Sequence, residues 1–176
     1  MIRASSYVGR FLVPRAVVTL WYWVRFRAFV SPRAEVDLSP NLRLGRGTRV
    51  SSFVKIKAAD GPLHVGARVD VGCGAVLTSG TGGLRIGDDC LVSPNVCVIA
   101  ANYRYDVVDS PIRLQGLVSR GIVIGSNVWL GAGCCVLDGA AIASGVIVAP
   151  NSVVGAALPN NAVAHGSPAR VIYTRH

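Results

Sequence analysis

Aliphatic residues recur at every sixth position over most of this chain. Ile124, Leu130, Val136, Ile142, Val148 and Val154 form one unbroken series. The same spacing appears upstream as Leu44, Val50, Ile56, then Val65, Val71, Leu77, then Ile86, Val92, Val98. Four residues after each aliphatic comes a small or β-branched residue, among them Thr48, Val54, Val69, Ala75, Cys90, Val96, Val128, Cys134, Ala140, Val146 and Ser152. A helix repeats every ~3.6 residues and cannot hold such a grid on one side. Extended backbone can, because alternate residues share a face, so the fifth position of one hexad and the first of the next both point inward. A glycine or other small residue after the aliphatic lets the chain change direction. Three hexads close one triangular coil of about eighteen residues, and stacked coils bury a continuous column. The spacing predicts a parallel β-solenoid of roughly five coils over residues 40 to 157, with Asp60 to His64 and Ser79 to Arg85 as small corner excursions.

Composition agrees with that reading. Apolar residues make up 51% and charged residues 15%, which excludes a disordered chain, and 20 Gly with 9 Pro suit a backbone that turns often. At 176 residues the chain holds one compact domain with its own core. Most of the +9 formal charge lies at the start, where Arg3, Arg10, Arg15, Arg25, Arg27 and Arg33 precede the first acid, Glu35. Cys73, Cys90 and Cys97 stand singly, and Cys134 and Cys135 are adjacent without any CxxC. Neither a disulfide framework nor a metal site is expected, and the thiols read as reduced and buried in a cytoplasmic protein. The uncharged run Ala16 to Val24 is far shorter than the ~20 residues that span a bilayer.

Two features stand outside the grid. Outward positions downstream hold Trp129, Cys135, Ala141, Ile147 and Val153, an apolar series that calls for cover by the segment from Leu158 to His176 or, preferably, by another subunit. Between Val98 and Ile122 the hexads stop, and the stretch carries Asn102, Tyr103, Arg104, Tyr105, Asp106 and a Pro111-Ile112-Arg113-Leu114-Gln115-Gly116 string. Loops beyond ~15 residues in a compact domain are usually functional or disordered.

The hexads, the string Ile124-Gly125-Ser126-Asn127-Val128-Trp129-Leu130-Gly131 and the terminal Ala164-His165-Gly166-Ser167-Pro168-Ala169-Arg170 resemble the hexapeptide-repeat, left-handed β-helix acyltransferases. The nearest branch is the sugar O-acetyltransferases of the maltose, galactoside and surface-polysaccharide type. The resemblance runs from about residue 31 to the C-terminus. It implies an all-β fold: a left-handed parallel β-helix with an N-terminal helical segment and a long inserted loop. The expected division is a basic, aromatic helical segment at 1–35, the β-helix at 36–157 with its loop at 99–121, and a tail at 158–176. The resemblance also implies acetyl-CoA as acyl donor, a homotrimer with active sites in the clefts between neighbours, and a small-molecule or oligosaccharide acceptor, here an envelope saccharide.

Acetyl transfer to a hydroxyl needs a base near the alcohol and donors for the oxyanion. In the family the base is a histidine early in the long loop. Here the matching stretch is Ala101-Asn102-Tyr103, with Tyr103 at the histidine's place or, in a shifted alignment, Ala101. The three histidines, His64, His165 and His176, read as ordinary surface or corner residues. Three accounts stand. Tyr103, next to Asn102 and assisted by Asp106 or Arg104, acts in the base's place, although a tyrosine of pKa ~10 is a poor base near neutrality unless cations lower it. Binding and oxyanion stabilisation alone support slow transfer. Or the protein is a silenced relative that binds CoA, a nucleotide or a saccharide, or serves as a scaffold. Arg104, Tyr105 and Gln115 are candidates for acceptor binding. Trp129 is another, with subunit packing as its equal alternative. The resemblance places CoA along the later coils at Gly131, Ala132, Gly133, Ala149 and Gly155, with Arg170 and Arg175 as candidates for its phosphates.

Residues 1 to 30 mix arginines with Phe11, Leu12, Trp21, Tyr22, Trp23, Phe26 and Phe29, and Pro14 suits a helix start. Two compatible readings follow: peripheral contact with the inner face of a membrane, or a cap over the open end of the solenoid. No nucleic-acid recognition motif accompanies the arginines, and nucleic acid is not an expected partner.

Overall fold

A computed structural model describes residues 14–58 and 60–176, with every side chain in that span except that of Arg15. The chain winds as a three-sided prism of stacked parallel strands, with sheets of eight, six and five strands on its three faces. The inward positions form three columns, each in register from coil to coil. Val50, Val71, Val92, Leu130 and Val148 line the first face. Val36, Ile56, Leu77, Val98, Val136 and Val154 line the second. Leu44, Val65, Ile86, Ile124 and Ile142 line the third. Except for half-buried Val36, every one of these side chains is buried, as are the fifth-position residues from Thr48 to Ser152. The hexad grid is therefore the core itself, each buried aliphatic contributing about 1.5–3 kcal/mol.

The structure revises four expectations. The solenoid begins at strand Phe29–Val30, which pairs with Arg49–Val50, so the anticipated boundary at 35/36 falls inside the first coil. The excursions shrink, because Leu63–Val65 and Leu84–Ile86 are strands whose two end residues both face inward, leaving His64 and Arg85 pointing out. The apolar series from Trp129 to Val153 is no single patch: Trp129 and Ile147 lie on the first face, Cys135 and Val153 on the second and Ala141 on the third. Among the cysteines, Cys90 and Cys134 are buried, with thiols pushed up by that burial, while Cys73 is exposed at a corner.

The small residue after each aliphatic serves a purpose other than turning. A Cβ on Gly87 would lie 2.6 Å from the carbonyl carbon of Gly125 in the next coil. Clearance between coils, not φ, demands the glycine. The chain turns two residues later, where Asp89 takes φ 59° and the equivalent Asn127 takes φ 56°.

Each end of the prism carries an added element. Helix α1 (Arg15–Phe26) follows Pro14 and stops at Arg27, whose φ of 54° turns the chain into the first strand. Its Tyr22 is fully buried and donates its hydroxyl to the Asp37 carbonyl at 2.6 Å, while the Thr19 hydroxyl donates to the Val30 carbonyl at 2.7 Å. The helix thus bridges the first coil as a cap. At the other end the expected tail is part of the solenoid: Ala162–Gly166 continues the first face and Ala169–Thr174 folds back antiparallel upon it, with a register shift at Val163/Ala164.

Candidate functional site

The corners between the second and third faces differ sharply from coil to coil. At one coil the strand Cys135–Leu137 reaches Ala141–Ile142 through a tight turn. One coil earlier, Cys97–Ile99 reaches Ile122–Ile124 only after the long excursion. That excursion is ordered. Asn102–Tyr103 pairs antiparallel with Leu117–Val118, and a single 3-10 turn covers Ile112–Leu114. Ser119 ties its two ends, donating to the Ala100 carbonyl at 2.5 Å and accepting from the Gly82 amide at 2.9 Å. The Asp138 carboxylate receives the Arg120 and Gly121 amides at 2.8–2.9 Å. Neither Ser119 nor Asp138 was singled out in the sequence; the only signal was polar residues where the chain re-enters the grid.

Within the loop, Gln115 acts as a clasp. Its amide accepts from the Val107 N–H at 3.1 Å and donates to the carbonyls of Val107 and Ser110 at 2.8 and 2.7 Å. With its polar atoms so engaged, Gln115 shapes the loop instead of reaching out to an acceptor. Asn102, Tyr103, Arg104 and Tyr105 project outward, Tyr103 with 57% and Tyr105 with 77% of its surface exposed.

Trp129 stands elsewhere. On the first face the outward positions Phe29, Arg49, Asp70, Leu91 and Trp129 follow one another in register. They line an open groove of about 620 Å³ together with Ser51, Gly72 and Ser93. The Trp129 indole N–H donates to the Ser93 hydroxyl at 3.0 Å, which fixes the ring at one end. Arg49 grips Asp70 through two nitrogens at 2.6 and 2.7 Å and holds its carboxyl below the usual range. In a triangular prism the first face lies opposite the edge between the other two. One chain therefore keeps Trp129 and the loop residues on opposite sides.

The expected CoA positions also separate. Gly131 is buried: its amide is bonded to the Val148 carbonyl at 2.8 Å, and an added Cβ would meet the Pro150 nitrogen at 2.6 Å. It is a stacking glycine, closed to a ligand. Ala132 and Gly133 are exposed at the corner between first and second faces, with Ala149 half-buried one coil on. Gly155 lies exposed on the loop's own edge, where a Cβ would reach only Leu137 at 3.6 Å. Arg170 is exposed on the return strand opposite His165, whereas Arg175 donates to the Gly145 carbonyl at 3.0 Å and anchors the tail. Two of the histidines sit on strands outside the loop: His64 between Arg43 and Arg85 on the third face, and His165 on Ala162–Gly166 of the first face.

Fold and repeat together define a hexapeptide-repeat β-solenoid. The bacterial transferase hexapeptide family (six repeats) matches residues 121–156. The chain is 30% identical to the putative lipopolysaccharide biosynthesis O-acetyl transferase WbbJ of Escherichia coli, over 85% of this chain and 76% of that protein. It is 27% identical to a probable acetyltransferase of Mycobacterium tuberculosis over 95% of its own length, and spans 60% of that protein. Among solved structures, AntD, an N-acyltransferase of Bacillus cereus in complex with dTDP and coenzyme A, shares the fold with a TM-score of 0.77 at 19% identity, over 89% of this chain and 88% of that one. This chain belongs to the hexapeptide-repeat acetyltransferase family, and its stacked coils fit the left-handed β-helix of that family.

Proposed function

We propose that the protein transfers an acetyl group from acetyl-CoA to a sugar hydroxyl of a surface polysaccharide or its precursor. The acceptor oxygen attacks the thioester carbonyl, the C–S bond breaks, the acetyl ester forms, and the proton leaves the hydroxyl as the CoA thiol is released. Kinship with WbbJ and the likeness to CoA-binding acyltransferases support this class. The observation that carries it further is the opposition of the two candidate surfaces: the loop with Asn102 and Tyr103 on one edge, the Trp129 groove on the far face.

In this reading the working unit is a homotrimer in which the loop of one copy meets the first-face groove of the next. Tyr103 stands where the family places its histidine and takes the acceptor's proton, with Asn102 beside it. Arg104 and Tyr105 contact the saccharide, Trp129 offers its ring to a sugar face, and the Arg49–Asp70 pair presents hydrogen-bonding groups to hydroxyls. Gln115 positions the loop. Ala132, Gly133, Ala149 and Gly155 leave room along the later coils for the pantetheine arm, and Arg170 supplies charge to the phosphates.

The test compares acetyl-CoA consumption by the wild type, Tyr103→Phe and Tyr103→His with a saccharide acceptor. Turnover that disappears in Tyr103→Phe supports the tyrosine's role. Equal turnover in all three assigns the rate to binding and oxyanion stabilisation. Turnover only in Tyr103→His identifies a silenced enzyme and overturns the proposal; CoA titration of the wild type then distinguishes a retained CoA site from a lost one.

A further inference from the structure

Helix α1 carries two apolar stripes where capping uses one. Val18, Tyr22 and Phe26, spaced by four, face the solenoid. Val17, Leu20, Trp21 and Val24 fall at i, i+3, i+4 and i+7 on the opposite side, exposed by 49%, 58%, 41% and 64%, and Trp23 beside them by 51%. A helix on a protein surface normally turns charged and polar residues outward. This one has no charged residue from Ala16 to Val24. The outer stripe needs a second cover.

Its surroundings select the cover. At the helix end the Arg25 guanidinium lies 5.2 Å from the Phe26 ring and that of Arg27 5.6 Å from the Trp23 ring, so aromatic and cationic groups share one rim. In the first coil Lys57 bridges Glu35 at 2.6 Å and Asp37 at 3.4 Å, and Arg25, Arg27, Arg33 and Arg43 outnumber those two acids. On the third face of that same coil Arg43 points outward, followed in register by His64 and Arg85 at ~4.8 Å per coil, within a Debye length of the capped end. A twelve-residue helix is about 18 Å long, too short to cross a hydrocarbon core of ~30 Å, and no described helix is long and apolar enough to span. Indole rings flanked by arginines suit the headgroup boundary, where an amphipathic helix lies in the plane.

We propose that the outer stripe of the capping helix, Val17, Leu20, Trp21 and Val24, together with Arg25, Arg27 and Arg43, docks the protein on an anionic lipid surface. The solenoid then stands with its first coil at the membrane and its return strand away from it. This goes beyond acetyl transfer: a soluble acceptor should be processed equally well without lipid.

The experiment sediments the full chain with phosphatidylcholine vesicles, with and without phosphatidylglycerol. The expected result is pelleting with the anionic vesicles only, weakened about tenfold or more when salt shortens the Debye length to ~3 Å. Leu20→Glu with Val24→Glu, the two most exposed positions of the stripe, should abolish pelleting while leaving thermal unfolding and turnover of a soluble saccharide unchanged. Arg25→Gln with Arg27→Gln, which leaves both stripes intact, should reduce the preference for anionic vesicles and guards against a folding artefact in the first variant. Wild type that pellets with neither vesicle, or double variants that pellet as wild type does, would overturn the proposal. So would a lipid-free change in sedimentation coefficient for Leu20→Glu with Val24→Glu, which would assign the stripe to a second copy of the chain.

Discussion

Two corners at the same edge of the prism, one coil apart, divide the labour of the molecule. After Leu137 the chain passes through Asp138 and Gly139 and is back on the grid at Ala140, buried. After Ile99 it leaves, and from Asn102 to Leu114 every residue but half-buried Ser110 is exposed before it returns at Ile122. Coils hold because each strand is bonded to the coil above and below and each inward side chain joins a column. The loop holds through one short antiparallel ladder and the side chains of Ser119, Gln115 and Asp138, and its outward side chains are left for chemistry. Stability and function are thus separable by residue, as expected of a rigid scaffold that carries a working loop.

The sharpest way to break this comparison is to cut matching apolar residues in each region. Leu130→Ala should cost about 2–5 kcal/mol in urea unfolding, while Leu114→Ala, at 63% exposure, should cost under about 0.5 kcal/mol. A smaller effect tests coil spacing: Gly87→Ala should lose about 1–3 kcal/mol through overpacking against the next coil, whereas Gly155→Ala, with only Leu137 nearby, should leave the unfolding midpoint in place. Next comes the cap. Burial and the neighbouring Asp37 raise the Tyr22 hydroxyl above the ordinary tyrosine range. The folded chain keeps that proton after an unfolded chain has released it near pH ~10, so this contribution is full below that pH and is lost as pH rises beyond it. Tyr22→Phe should remove that alkaline loss of stability and cost about 0.5–1.5 kcal/mol at neutral pH, read from unfolding midpoints across the two pH ranges. The smallest effect on stability, and a clear one on activity, belongs to Gln115→Ala: an unchanged thermal midpoint with kcat/KM for acetyl transfer down on the order of 10–100-fold.

The solenoid was legible because its period is written in buried residues. A grid of inward aliphatics fixes strand, turn and stacking together, and Val50, Val71 and Val92 meet in the register their spacing requires. What escaped reading was set by the third dimension. Leu42, Leu63, Leu84 and Ile122 stand two places before the grid, and only the three-residue strands of the third face bring them inside. The groove between Phe29 and Trp129 joins residues far apart in the chain, so no local pattern announced it. Gly131 looked open to a ligand because sequence carries no record of how closely the next coil approaches. Gln115 looked like a binding residue for a related reason: an amide in a loop is equally suited to its own backbone and to a sugar.

The backward-running strand Ala169–Thr174 bears on how long such a protein can grow. A stack of parallel coils has no intrinsic reason to stop, and its bare ends invite the next molecule to continue the ladder into a fibre. By reversing direction across the final first-face strand, the chain closes that face's parallel ladder, while a helix without ladder groups covers the first coil. Removing Ala169–Thr174 should therefore bare a parallel edge on the first face and promote end-to-end association, read by light scattering.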